Sequence, residues 1–471
     1  MIIINSYIDT KVVDVFKSLF EFLSENEYRL MYIQSLTNGY GLIHVLRTFL
    51  QTSTHPAQNL LNLFAVQKKI SFEESKKTFP KDFFNELIDK SILLQENDKI
   101  FSYFQIIPVN YQFFLLLPYR VHIDPPVYIG ADSLSFNRLL QFDSKTIPKN
   151  VLDIATGSGY QLFTLPWQSS KTSLIGFDIN PNSIMVAELN RKVNSTPWME
   201  FDTLDISNSD GQRDLKNKFL NKFDYIIGNP PIIPTPETLN TRALNKIHVD
   251  GGEDGLEIIG SFLPIVPNLL IENGVAQFIL SSFGSNNRPS ILMTLEKLFK
   301  EHNLSGKLIG VKKIPVELDS LYRGYNNLDE YNNWMNFYNQ KRASYWYRLI
   351  LRISNSKNST GLRFIESYRN DHNIKPEGLN INQILSKIEF SLSKIFPHIT
   401  DYHDFENKSA RIKSYIKNNY QIINENSINE FSNLLFLQFK DFFTSLGIAK
   451  RFWGLCLRSD WEPKFLERVK W

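Results

Sequence analysis

Cysteine is almost missing from this chain: its 471 residues hold one, Cys456. A single thiol excludes an intramolecular disulfide and any multi-cysteine zinc site, and it favours a reducing, cytoplasmic compartment. Charge of one sign is also missing, because 52 Lys and Arg stand against 49 Asp and Glu, for a net +3. That balance excludes a strongly basic nucleic-acid coat. No apolar run reaches the ~20 residues that a bilayer requires; residues 113–118 and 226–233 are short or broken by polar groups. The start, MIIINSYIDT, lacks the basic segment and small-residue cleavage site of a secretion signal. A soluble cytoplasmic protein without membrane contact is therefore expected. Walker-type and Gly-x-Ser-x-Gly loops are absent from the sequence. His122 and His302 each have one acidic neighbour, and HITDYHDFE, with His398, Asp401, His403 and Asp404, matches no zinc spacing. No metal is expected, and the oligomeric state stays open.

What is present suffices for sizeable cores: 42% of residues are hydrophobic and 21% charged, in a length suited to two to four domains of ~100–200 residues. Val13, Phe16, Leu19, Phe20 and Leu23 recur at three to four residues, the pattern of an amphipathic helix. Helices are expected over 57–66 and 71–79, the latter opened by a Ser71/Glu74 capping box. Another is expected over 82–93, after Pro80. Strands are expected over 99–104 and 110–117. Three helices and a hairpin outline a winged helix, but the segment PKDFFNELIDKSILLQ carries three acidic residues and two lysines, so DNA binding is not predicted. Residues 1–120 are read as this N-terminal domain.

From residue 150 the character changes. Strands are expected at 151–154, 173–177, 200–203, 225–228 and 275–280, alternating with helices, which implies a parallel α/β sheet. A helix over 290–302, a strand over 307–314, an aromatic helix over 329–339 and a strand over 345–353 would close its edge. Residues 121–354 form this second domain. The stretch SNSKNST reads as a linker, and 355–471 as a mainly helical extension. Lys408, Arg411, Lys413 and Lys417 there share a helical stretch and read as a solvated basic face.

The chemistry concentrates in four places. In VLDIATGSGYQLF a strand meets a turn where Gly157 and Gly159 let the backbone approach a ligand, at the strand's carboxyl end, where ligands bind in open α/β sheets. Asp178 ends the next strand, placed to accept hydrogen bonds from ribose hydroxyls. Asp205 follows the third strand, where it could meet an adenine amine or cap a turn. The buried strand FDYIIG leads to Asn229-Pro230-Pro231. The prolines hold the chain extended and remove two N–H donors. A planar NH2 group could donate to the Asn229 oxygen and the Pro230 carbonyl, with its lone pair turned toward an electrophile.

In these motifs the sequence resembles the class I S-adenosylmethionine (SAM)-dependent methyltransferases. It is most similar to the Asn-Pro-Pro-Tyr amino methyltransferases, which include the release-factor glutamine methyltransferases. The likeness is strongest over 151–283 and includes VDGGEDGLEII. It extends loosely to YIGADSLSFNRLL, EYNNWMNFYNQK and YWYRLILRIS. The resemblance implies a Rossmann-like seven-stranded sheet and SAM as cofactor. Asp153, Ala155, Thr156, Gly157 and Gly159 would shape the methionine end of the cofactor site. Asp178 would serve the ribose and Asp205 the adenine, with Ile179, Ile206 and Asn229 also in contact with the cofactor. Asn229 and Pro230 would hold the acceptor. Tyr128, Asp132 and Ser133 would lie at the mouth, with Pro231 and Ile232 beside the acceptor. His248 lies in a loop that could fold over the acceptor or remain solvated.

Two departures stand out. Ala155 replaces a family glycine, a change expected only to trim space. Ile232 replaces the aromatic residue that stacks on a planar acceptor, giving up that π contact and leaving room for a smaller or non-nitrogen acceptor. Trp334, Phe337, Tyr338, Tyr345, Trp346 and Tyr347 read equally as plain core or as the wall of a closed apolar pocket; on the second reading a small metabolite or peptide natural product is the expected substrate. The alternatives are a protein glutamine or RNA base, O- or C-methyl transfer, and an inactive SAM-binding scaffold.

Overall fold

The computed structural model describes residues 9–30, 32, 57–109, 112–117, 126–129, 131–140, 147–165, 169–236, 250–316, 319–320, 328–355 and 361–367. The helical extension expected beyond these, with Cys456, His122, His248 and the 398–404 and 408–417 clusters, lies outside the described residues.

Helix α1 (Thr10–Glu25) buries the predicted stripe, Phe16, Leu19 and Leu23 included, and Asp9 caps its start. Helix α2 (Gln58–Leu60) widens into a π-helical turn, Leu61–Ala65. Strand β1 (Ile70–Ser71) leads into α3 (Phe72–Thr78), where Ser71 and Glu74 form the expected capping box. Helix α4 (Lys81–Asp89) follows Pro80 and stops earlier than predicted. Of the residues expected to complete that helix, 90–92 form a turn and Leu93 opens β2 (Leu93–Glu96), which pairs with β3 (Lys99–Ser102) across a turn at Asn97 and Asp98. Asn97 takes a left-handed φ of 55°, as tight hairpin turns demand. The single hairpin expected from the sequence is thus two, because β4 (Gln105–Val109) and β5 (Gln112–Leu116) pair with each other.

A nine-residue helix, α5 (Ala131–Leu139), precedes the main sheet. Strands β6 (Asn150–Ile154), β7 (Ser173–Asp178), β8 (Met199–Thr203), β9 (Phe223–Gly228) and β10 (Leu270–Gly284) run parallel. Their runs, such as Val151, Leu152 and Ile154, are buried because helices cover both faces. Helices α6 (Tyr160–Phe163), α7 (Pro181–Val193), α8 (Ser209–Phe219) and α9 (Glu257–Phe262) connect them. After α10 (Val266–Leu269), β10 is joined antiparallel by β12 (Tyr345–Ser354), which also pairs with β11 (Ser305–Pro315). Helices α11 (Ile291–Glu301) and α12 (Leu328–Gln340) complete this half. One further strand, β13 (Gly361–Glu366), lies parallel to β11 at the edge. The result is a mixed, eight-stranded sheet of order β13-β11-β12-β10-β9-β6-β7-β8, an α/β fold of Rossmann-like type. Residues expected to begin a helical extension therefore begin as an edge strand.

Helix α7 joins the two parts. Ala187 packs into the core of the sheet, while Met185, Val186, Leu189 and Val193 pack with Phe16, Phe20 and the other N-terminal apolar residues. Buried Asn190 accepts from the Leu115 N–H at 2.8 Å and donates to the Leu115 carbonyl at 3.1 Å, as a neighbouring strand would. Asn194 donates to the Phe113 carbonyl at 3.0 Å. Phe114 meets Phe163 edge-on, with ring centroids 4.8 Å apart. No helix among the described residues is long and apolar enough to cross a membrane.

Candidate functional site

Parallel strands bring their carboxyl ends to one edge of the sheet, and there the loops after β6, β7, β8 and β9 enclose a cavity of about 260 Å³. Its wall is completed by residues 126–129 and by the first turn of α5, which precede the main sheet in the chain.

The turn after β6 is held by backbone bonds, Thr156 N–H to the Phe177 carbonyl at 2.9 Å and Gly159 N–H to the Thr156 carbonyl at 3.0 Å. Gly157 and Gly159 adopt φ of 57° and 82°, the region glycine enters without strain. A Cβ on Gly159 would lie 2.8 Å from the Phe201 ring. Ala155 also has a left-handed φ, 58°. Its replacement of a glycine therefore costs backbone strain rather than merely trimming space.

Under this turn Asp153 is only 1% exposed. Its Oδ2 accepts from the Thr156 hydroxyl at 2.7 Å, and its Oδ1 is buried with no partner. Burial pushes this carboxyl up to about 8; the Thr156 hydrogen bond pulls the other way and the Asp178 charge adds to the rise. Asp178 accepts from Gly157 N–H at 2.8 Å and from Asn180 N–H at 2.9 Å. Burial raises its pKa, and those two bonds moderate the rise. Asp205 accepts from the backbone and hydroxyl of Ser207 and from the Asn208 amide at 2.6–2.9 Å. Burial would raise it, but these bonds outweigh that and hold it below its ordinary value. Asp205 thus caps its turn, one of the two readings of this residue, and it also lines the cavity.

Asn229 follows β9. Its amide nitrogen donates to Asp132 Oδ2 and to Ser133 Oγ, each at 3.1 Å, and its oxygen is buried without a partner. The cavity wall brings together Tyr128, Asp132, Ser133, Ala155, Thr156, Gly157, Asp178, Ile179, Asp205, Ile206, Asn229, Pro230 and Pro231. Asp153 and Gly159 lie behind it. Ile179 is 51% exposed and adds apolar surface to the wall.

Ile232 departs from expectation. It is 3% exposed, belongs to the sheet core and is not part of the cavity wall, and its carbonyl accepts from Ser281 Oγ at 2.6 Å. Trp334, Phe337 and Tyr338 likewise pack on one another and on Phe283 and do not line the cavity. Sequence reasoning missed Tyr160 and Gln161, which directly follow Gly159 and which their place at the helix start could have flagged. Asp250, from the loop that carries His248, also lines the wall, and its neighbour Gly251 donates to the Ile233 carbonyl.

The donor set fits the SAM that the resemblance implies. Carboxylates on Asp178 and Asp205 suit a ribose diol and an amine, glycines admit close approach, and the unpartnered acceptor oxygen on Asn229 awaits a donor. No group of three His, Cys, Asp or Glu that could hold a metal occurs among the described residues.

A family profile described as a methyltransferase domain matches residues 147–275. A protein of Methanocaldococcus jannaschii, provisionally named a protein N5-glutamine methyltransferase, is 34% identical over 199 residues, covering 42% of this chain and 91% of that one. The release factor glutamine methyltransferase of Bacillus cereus is 30% identical over 136 residues, covering 27% of this chain. This chain spans 45% of that relative's length. Among solved structures, a provisionally assigned methyltransferase of Bacillus halodurans C-125 is 14% identical, with 48% of this chain and 100% of that one covered and a TM-score of 0.31.

Proposed function

Because this chain belongs to the class I SAM-dependent methyltransferases related to the protein glutamine methyltransferases, we propose that it methylates the side-chain amide nitrogen of a glutamine in a protein acceptor. The observation that carries this reading is the Asn229 side-chain oxygen, buried beside the cavity with no hydrogen-bond partner. Such an acceptor atom calls for a donor in the bound substrate, and an amide NH2 supplies one. The two prolines that follow offer no N–H, so nothing there competes for the same lone pair. A glutamine acceptor is also favoured over the small metabolite expected from the aromatic content, since Trp334, Phe337 and Tyr338 form a core cluster away from the cavity.

When bound, SAM supplies an electrophilic methyl group. In this reading Asp178 holds the ribose, Asp205 and the exposed face of Ile179 the purine, and the turn from Ala155 to Gly159 with Asp153 the amino-acid end. Asn229 and the Pro230 carbonyl fix both hydrogens of the acceptor NH2, which turns its lone pair toward the transferable methyl. Alignment and exclusion of water then carry the catalysis.

Labelled methyl from SAM, followed into the protein, RNA and small-molecule pools of a host extract, tests the proposal. Label in protein, recovered as N5-methylglutamine on hydrolysis under conditions that spare the amide, is the expected result. Label confined to RNA or to small molecules would overturn the acceptor. No label in any pool, despite tight SAM binding, would overturn the enzyme.

A further inference from the structure

Asn229 presents an amide that could face either way, and the protein has fixed which. Its nitrogen lies 3.1 Å from Asp132 Oδ2 and 3.1 Å from Ser133 Oγ, both in the first turn of α5. We propose that Asp132, assisted by Ser133, is a positioning residue that fixes the Asn229 amide with its NH2 toward α5 and its oxygen on the opposite edge, kept for a donor on the substrate. This deepens, and rests on, the reading of Asn229 as the anchor of the acceptor nitrogen.

The two ends of a primary amide have nearly the same shape, so its orientation follows from the groups it meets. A carboxylate only accepts hydrogen bonds, whereas a hydroxyl can donate or accept. The edge facing Asp132 must therefore be the NH2 edge, and Ser133 can accept from the same group without deciding the matter. The oxygen is then turned away from Asp132, to a position where it is buried and finds no protein donor. An amide free to turn over would present NH2 on that edge part of the time, and that orientation repels an N–H-bearing substrate. Asp132 thus makes the cavity selective for a donor and prepares the anchor before substrate arrives, which removes an ordering cost from the bound state.

Asp132→Asn is the discriminating variant: it keeps shape and volume but can offer its own NH2 to the Asn229 oxygen, which permits the reverse orientation. In the full-length protein we expect its SAM affinity, by calorimetry, to stay within roughly twofold, with kcat for methyl transfer to a glutamine-containing peptide falling roughly tenfold to a hundredfold. Ser133→Ala should lose far less. Independently of turnover, the Asn229 side-chain NH2 resonances, assigned by their loss in Asn229→Ala, should shift in Asp132→Asn and Asp132→Ala. Unchanged resonances in both variants, with SAM affinity retained, would overturn the positioning role, as would full kcat in Asp132→Asn. If the wild-type protein transfers no methyl to the peptide, the glutamine reading fails, and the resonances still decide the orientation.

Discussion

Asp153 carries a carboxyl in a place water does not reach, and its protonation is therefore coupled to folding. Its folded-state pKa of about 8 stands above the ordinary 3.8, so between those values the folded chain holds a proton that the unfolded chain has released. Stability of the ligand-free protein from this group is greatest at low pH and is lost as pH rises through about 8. Asp178, raised in the same direction by burial, adds to the trend. Asp153→Asn is expected to flatten the fall in melting temperature with rising pH, measured by thermal denaturation of both proteins across that window; an equal slope in the two would refute the assignment. The roles of Asn229 and Asp178 separate in a second comparison. Asn229→Ala should cut kcat by roughly a hundredfold or more with cofactor affinity nearly kept, whereas Asp178→Ala should weaken cofactor binding most. Calorimetry with initial-rate kinetics checks both, and parallel losses in the two variants would count against the division of labour. Most of these residues were legible because each ends a strand, where chain order alone fixes the edge it reaches. Ile232 was not, since a motif does not tell which way a side chain turns, and here it packs into the sheet core.

At the scale of elements, the glycine turn is the most constrained piece. Gly159→Ala would require a left-handed φ of 82° and bring a Cβ within 2.8 Å of Phe201. We expect a loss of about 1–3 kcal/mol, read from urea unfolding, and a change below a few tenths would show that the turn relaxes freely. Central strands were readable as short apolar runs because both of their faces are covered. Strand β2 was missed because Leu93 and Leu94 continue the apolar spacing of α4, and only the Asn97-Asp98 turn betrays the hairpin. Strand β13 was missed for another reason: it pairs along a single edge with β11, a partner far back in the chain, and its half-exposed residues leave a weak pattern.

At the scale of the whole molecule, the N-terminal part and the sheet share a helix. Removing residues 1–117 would uncover Met185, Val186, Leu189 and Val193, all buried against it. An apolar helix face left bare favours self-association. The truncated chain is expected to elute as soluble aggregates or precipitate, by size-exclusion chromatography with light scattering. A monodisperse truncated protein that still binds SAM would mean the two parts are separable.

Asn190 and Asn194 have one more consequence. The outer edge of β5 exposes no row of open backbone groups at Leu115, because a helix supplies amide side chains that satisfy it as a third strand would. A ribbon finished in this way cannot be extended by another chain at that point. The contact that ties the N-terminal hairpin to the cofactor domain therefore also guards a crowded cell against strand-by-strand fibre growth from this edge.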